Sequence, residues 1–215
     1  MSFADYLAKG YLPDLGSLPE SEIAERVLSA LDPHFEARRE VCGTHCSGRR
    51  LRIDAVLWPR DPARWHDEKP VFAVEFKRPV GQGAEALGQC ADYAHTRWDG
   101  YGHLPVFLCP AVVSRWAWGY GGLKSALIAQ LLMGQLAVGE LDRVEWRPGI
   151  GNWRMERAGS RIWDSHDGPA RGGVSSLAVK VGNRSYKPPL SSRADLRPGL
   201  VGEPPDPDPS PRSST

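Results

Sequence analysis

Cysteine is scarce in this chain of 215 residues: Cys42, Cys46, Cys90 and Cys109 are the four present. They are too few and too scattered to staple a chain of this size, which excludes a disulfide scaffold. The run Cys42-Gly-Thr-His45-Cys46 has no second pair at a recurring spacing, so a structural zinc site is not expected either. Long apolar runs are also missing. The most apolar stretch, residues 126–138, falls short of the roughly 20 residues a bilayer demands. It also carries Gln130, Gly134 and Gln135, and reads instead as a buried helix with no membrane partner. The opening MSFADYLAKGYLPDLG breaks its apolar residues with charges and prolines, which leaves no secretory core and makes a cytoplasmic location the expectation. Charge of one sign is absent too: 27 basic residues against 26 acidic ones leave a formal net charge of +1. No global field announces a polyanionic partner, so any nucleic-acid reading must rest on local sites.

What is present is a succession of periodic segments. Pro19 suits a helix start, because proline lacks only a donor that the first turn leaves unused. The helix expected over 19–31 places Ile23, Val27, Leu28 and Leu31 on one stripe. A strand is expected around 37–41 and a clearer one over LRIDAVLW, 51–58, ended by Pro59 and the Asp61-Pro62 pair. After a polar loop, 71–77 reads as a strand with Val71, Ala73, Glu75 and Lys77 on one face and Phe72, Val74 and Phe76 on the other.

AEALGQCADYAHTRW, 84–98, then reads as a helix packing through Ala84, Leu87, Ala91 and Ala94. LPVFLC, 104–109, has the wholly apolar character of a strand buried on both faces. This order predicts an α/β (α+β) fold with a central mixed sheet flanked by helices. Beyond it, 123–138 reads as a long helix, 143–162 as two strand-like pieces around Pro148-Gly149, and 176–181 as one more strand. We therefore expect a catalytic core over 1–118 and a small C-terminal appendage of helix and strands over 119–186. The Pro- and Ser-rich tail, 187–215, is expected to be disordered.

The chemistry concentrates on the strand over 71–77. A glutamate and a lysine inside an otherwise apolar strand are expensive to bury unless partnered, and being two apart they point to the same side. Asp54 sits in the middle of the preceding strand. If the two strands pair across the 60–69 loop, Asp54 and Glu75 converge, and two close carboxylates repel until a cation neutralises them. Magnesium or manganese suits carboxylate and water ligands best.

An acidic residue on one strand followed by Glu75-Phe-Lys77 on the next resembles the PD-(D/E)XK, or restriction-endonuclease-like, nuclease superfamily. Gln89-Cys-Ala-Asp-Tyr93 is similar to the Q-x-x-x-Y motif of its RecB-type members. The resemblance covers about residues 19–110. It implies a restriction-endonuclease-like core and an Mg2+-dependent (or Mn2+-dependent) phosphodiesterase that hydrolyses nucleic acid, DNA rather than RNA, by metal-activated water.

The roles it implies are specific. Asp54, Glu75 and the backbone carbonyl of Phe76 would bind the metal, and Lys77 would orient the attacking water. Gln89 and Tyr93, one turn apart, would brace the site or contact nucleic acid. A glutamate from the first helix would join them: Glu22 and Glu25 both qualify, with Glu20 a third choice. The usual proline before the aspartate is replaced by Ile53. Some RecB-type enzymes hold an iron–sulfur cluster on cysteines lying mostly after the catalytic motifs. Here Cys42 and Cys46 precede Asp54 and Cys90 lies within the helix motif, so no cluster is expected.

Arg49, Arg50, Arg52 and Arg78 could hold phosphates through their guanidinium forks, or form an ordinary solvated basic face. Trp58, Trp98, Trp116 and Trp118 could stack on bases, although packing is the plainer account. No sequence pattern couples His45, His66, His95 or His103 to a nucleophilic serine or cysteine, so a hydrolase triad is not expected. Two other readings stand beside the enzyme. One is a non-catalytic nucleic-acid- or protein-binding module on the same fold; the other is an adaptor that engages a protein partner, or a second copy, through its C-terminal half.

Overall fold

A computed structural model describes residues 18–65, 70–78, 83–111, 131, 133–136, 138–147, 150–157, 160–170, 179–181 and 184–186. The tail expected over 187–215 and most of the helix expected over 123–138 lie outside the described residues. Helix α1 (Glu20–Leu31) begins immediately after Pro19, whose backbone is extended at φ −60° and ψ 148°. Its buried side chains are Ile23, Ala24, Val27 and Leu31, with Leu28 partly buried beside them, which is the stripe anticipated from the spacing.

Nine strands form one mixed sheet, and the chain is an α+β protein. After α1 come β1 (Phe35–His45), β2 (Arg50–Pro59), a 3-10 turn (Pro62–Arg64), β3 (Phe72–Phe76) and helix α2 (Gly83–Ala94). They lead to β4 (Thr96–Trp98), β5 (Val106–Cys109), β6 (Val138–Arg147), β7 (Ile150–Arg157), β8 (Ser160–Asp164) and β9 (Gly168–Pro169). The spatial order is β4-β1-β2-β3-β5-β6-β7-β8-β9. Strands β1, β2 and β3 form an antiparallel meander, β3–β5 and β5–β6 are parallel, and β6 to β9 are antiparallel again. Strands β10 (Val179–Val181) and β11 (Arg184–Tyr186) make a separate hairpin.

Two expectations need correction. The helix over 84–98 ends at Ala94, and Thr96–Trp98 leaves it to pair with the Gly43 to His45 end of β1 as an edge strand. The alternation explains it: Thr96 and Trp98 are buried while Arg97 between them is exposed, a period of two that no helix can satisfy. Val138, expected to finish a helix, instead starts β6 alongside β5.

Of the strands anticipated as an appendage, those over 143–162 continue the core sheet, whereas Val179–Val181 belongs to the separate hairpin. Leu141, Trp153, Met155, Ile162 and Trp163 share one hydrophobic cluster with α1, Phe35, Phe72, Val74 and Phe76. A second cluster holds Val71 and Ala73 together with Ala86, Cys90 and Tyr93 of α2. Because consecutive residues of β3 divide between the two clusters, the sheet separates α1 on one face from α2 on the other.

The join between β5 and the C-terminal strands is tight. A methyl group added at Gly139 would stand 2.3 Å from the Phe107 ring and 2.6 Å from the Glu156 carbonyl oxygen. Because the obstacle is partly backbone, Gly139→Ala is expected to cost about 1–3 kcal/mol, measurable as a lower urea midpoint with an unchanged slope.

Candidate active site

Strand β2 runs antiparallel to β3 with Ala55 opposite Val74 and Leu57 opposite Phe72. The paired residues end there; Asp54 and Glu75 are the next residues of the two strands, and the charge of Asp54 acts on Glu75. The Asp54 carboxylate does not stand free on the strand: its Oδ2 accepts the Phe76 backbone N–H at 2.8 Å. This bond ties the Asp54 side chain to the residue that follows Glu75.

Glu75 is 4% exposed, on the α2 side of the sheet. Its two oxygens differ sharply. Oε1 takes the Lys77 ammonium at 2.8 Å, the Gln89 amide at 3.1 Å and the Tyr93 hydroxyl at 3.2 Å. Oε2 is buried, and among the described residues it has no hydrogen-bond partner. An unsatisfied buried carboxylate oxygen is costly unless something else supplies the missing positive charge. Burial first, and the charge of Asp54 second, push the Glu75 carboxyl up to about 7, against the opposing pull of Lys77 and Tyr93. Burial raises Asp54 too, although the Phe76 N–H and Lys77 act in the other direction. Two neighbouring carboxyls that both resist ionisation repel one another when charged, and a cation between them could relieve both.

Helix α2 supplies the brace. Gln89 and Tyr93 are one turn apart on the face that meets β3, and the Gln89 amide also donates to the Tyr93 hydroxyl. Tyr93 further approaches the Arg52 carbonyl at 3.3 Å, which ties helix, β2 and β3 at one point. Burial, and then the nearby Glu75 charge, raise the Tyr93 phenol far above its ordinary value, so it serves as a neutral donor.

Lys77 leaves the end of β3 with its backbone N–H on the Cys109 carbonyl. Burial works against its charge, but the hydrogen bond and attraction of Glu75, with Glu20 and Asp54 behind, keep its pKa raised and the ammonium charged.

The first-helix glutamates divide. Glu22 pairs with Arg26 at 2.5 Å and Glu25 with Arg39, both on exposed surface. Glu20, the third choice from sequence, accepts the Arg78 backbone N–H at 3.2 Å, and its charge acts on both Asp54 and Lys77. Sequence could not rank it first, because only the packing of α1 against the exit of β3 brings the start of the helix to this point.

The basic cluster also separates. Arg49 pairs with Asp92 at 3.0 Å, and Arg50 grips Asp99 through two bonds at 2.6 and 3.2 Å, pinning the β1–β2 hairpin to α2 and to the turn after β4. Arg52 makes a looser exposed pair with Glu40 at 3.5 Å, and the Arg78 side chain is exposed. Arg52 and Arg78 thus remain the two of the four that flank the acids.

Asp54 and Glu75 could hold a divalent cation. They fit magnesium better than a metal needing a full protein cage, because magnesium keeps several waters and accepts one or two carboxylates. Among the described residues no three His, Cys, Asp or Glu side chains are grouped to hold a metal. Cys42 and Cys46 are exposed, while Cys90 and Cys109 are buried. Trp98 is core, packed on Tyr93, and Trp58 is half-buried with its N–H on Glu36; Trp116, Trp118 and His66 lie outside the described residues. Trp153 and Trp163 of the C-terminal strands are buried in the first cluster. No family model matches this chain, and neither a curated protein nor a solved structure does.

Proposed function

We propose that this chain is a divalent-metal-dependent nuclease built on a restriction-endonuclease-like core, which hydrolyses phosphodiester bonds of DNA. One observation carries the reading: the Glu75 carboxylate has three donors on one oxygen and, among the described residues, none on its buried second oxygen, while the charge of Asp54 acts on it from the neighbouring strand. The order helix α1, meander β1–β3, helix α2, edge strand β4 and parallel strand β5 supports it, since it brings α2 and the ends of β2 and β3 to one place.

A bound divalent cation would polarise the phosphate and supply charge against the departing oxygen. Asp54, Glu75 and the Phe76 carbonyl would hold it. Lys77, fixed by Glu75, would present a permanent positive charge where the phosphate gains negative charge during attack. Gln89 and Tyr93 would keep Oε1 of Glu75 occupied and so hold the carboxylate in one orientation. Arg52 and Arg78 would position the backbone of the nucleic acid.

Purified protein incubated with single-stranded, duplex and branched DNA should cut at least one of them with Mg2+ or Mn2+ and none with EDTA. Cleavage that persists in EDTA, or no cleavage of any of the three with either metal, would overturn the reading. Tyr93→Phe removes a donor that favours ionised Glu75. Activity at pH 7 should fall on the order of tenfold, and the acid limb of the pH–rate profile should move to higher pH.

A further inference from the structure

Glu40 has φ +52°, and among the described residues it is the one non-glycine residue on the positive side. The left-handed region costs an L residue with a long side chain, and such strain persists only where the surrounding structure imposes it. It occurs here in the middle of β1. The ladder is in the same register on both sides, Arg39 opposite Ala55 and Val41 opposite Ile53, so no residue has been inserted. Glu40 and Asp54 stand between these two pairs.

The consequence is visible in the cores. Phe35 of β1 and Ala55 and Leu57 of β2 pack in the α1 cluster, whereas Val41 and Ile53 pack in the α2 cluster. All five positions are odd, and an undistorted strand would place them on one face. β2 therefore rolls over between 53 and 55 and β1 between 35 and 41, where Glu40 holds the positive φ. Asp54 sits at the point of the roll, and its carboxylate lies beside the edge of β3, where it takes the Phe76 N–H. The Glu40 side chain contributes little to this: it is exposed, and among the described residues its ion pair is the 3.5 Å contact with Arg52.

We propose that Glu40 is a positioning residue whose left-handed backbone turns the β1–β2 ribbon over and so aims Asp54 at Phe76 and Glu75. This rests on the reading of Asp54 as a site residue, but the orientation itself can be measured without metal or substrate. The readout is hydrogen exchange of the Phe76 amide in the metal-free full-length protein, with the Val74 amide as reference. Asp54→Ala sets the scale by removing the acceptor. Glu40→Val, whose β-branched side chain rejects positive φ, should speed exchange at Phe76 at least about tenfold relative to Val74, as Asp54→Ala does. It should also weaken Mn2+ binding. Glu40→Gly should leave Phe76 protected and the melting temperature no lower than wild type, since glycine relieves strain at this φ but weakens an ordinary strand.

Unchanged exchange at Phe76 in a folded Glu40→Val protein would overturn the proposal. If Glu40→Val does not fold, Glu40→Gly decides: a lowered melting temperature, or exchange as fast as in Asp54→Ala, overturns it as well. A wild-type protein that cuts no DNA but gives the expected exchange pattern would defeat the nuclease reading and leave the role of Glu40 standing.

Discussion

Lys77→Ala should abolish cleavage while leaving DNA binding largely intact. The ammonium is held 2.8 Å from Glu75 and is mostly buried, so its place is set by the strand rather than by the substrate. Removing a positioned charge that acts chiefly as the phosphate accumulates negative charge costs on the order of 10²–10³ in rate. Arg52 and Arg78 remain to hold the backbone, so the dissociation constant for uncut DNA in Ca2+ should move by less than about threefold, while kcat collapses. Lys77→Arg should not restore the rate, because a planar fork cannot replace a compact ammonium at a fixed site. Retention of wild-type kcat in Lys77→Ala would remove this residue from the chemistry.

The second large effect concerns stability and runs against intuition: deleting the charge of Glu75 should strengthen the metal-free protein. The Glu75 carboxyl is held at about 7, above its ordinary 4.5, by burial and by Asp54. A carboxyl whose pKa rises on folding binds its proton more tightly in the native state. Stability from this group is therefore complete below about pH 4.5 and is lost as the pH rises through about 7. The loss at pH 8 is on the order of 3 kcal/mol, since each tenfold gain in proton affinity corresponds to about 1.4 kcal/mol. Glu75→Gln should consequently melt several degrees above wild type at pH 8 without metal, and the difference should vanish at pH 4. Saturating Mg2+ or Mn2+ should stabilise wild type and not the variant, because only the ionised acid attracts the cation. Equal melting curves at pH 8 for the two metal-free proteins would mean that Glu75 carries no unrelieved charge.

Much of this site is legible in the sequence. The spacing of two between Glu75 and Lys77, and of four between Gln89 and Tyr93, determines that each pair shares a face once strand and helix are assigned. Glu75 indeed meets Lys77 at 2.8 Å and Gln89 at 3.1 Å. The α1 stripe and the division of β3 between two cores follow from the same local periodicities. Thr96–Trp98 is not legible as a strand, because three residues following a helix offer too short a period to outweigh the helical pattern before them.

By itself, then, the sequence determined which side chains share a face in α1 and β3, and that Gln89 and Tyr93 share one in α2, since there the regular pitch of the element decides; in β1 and β2 the roll at Glu40 and Asp54 overrides it. Tertiary structure alone decided which oxygen of Glu75 is saturated, and that Glu20 rather than Glu22 or Glu25 reaches the β3 exit. It also decided that Arg49 and Arg50 are engaged by Asp92 and Asp99, and that β6 to β9 extend the same sheet. The physical reason is range. Register, the roll of β1 and β2 at Glu40, and the choice of ion-pair partner are set by contacts between segments far apart in the chain, and no local period encodes them.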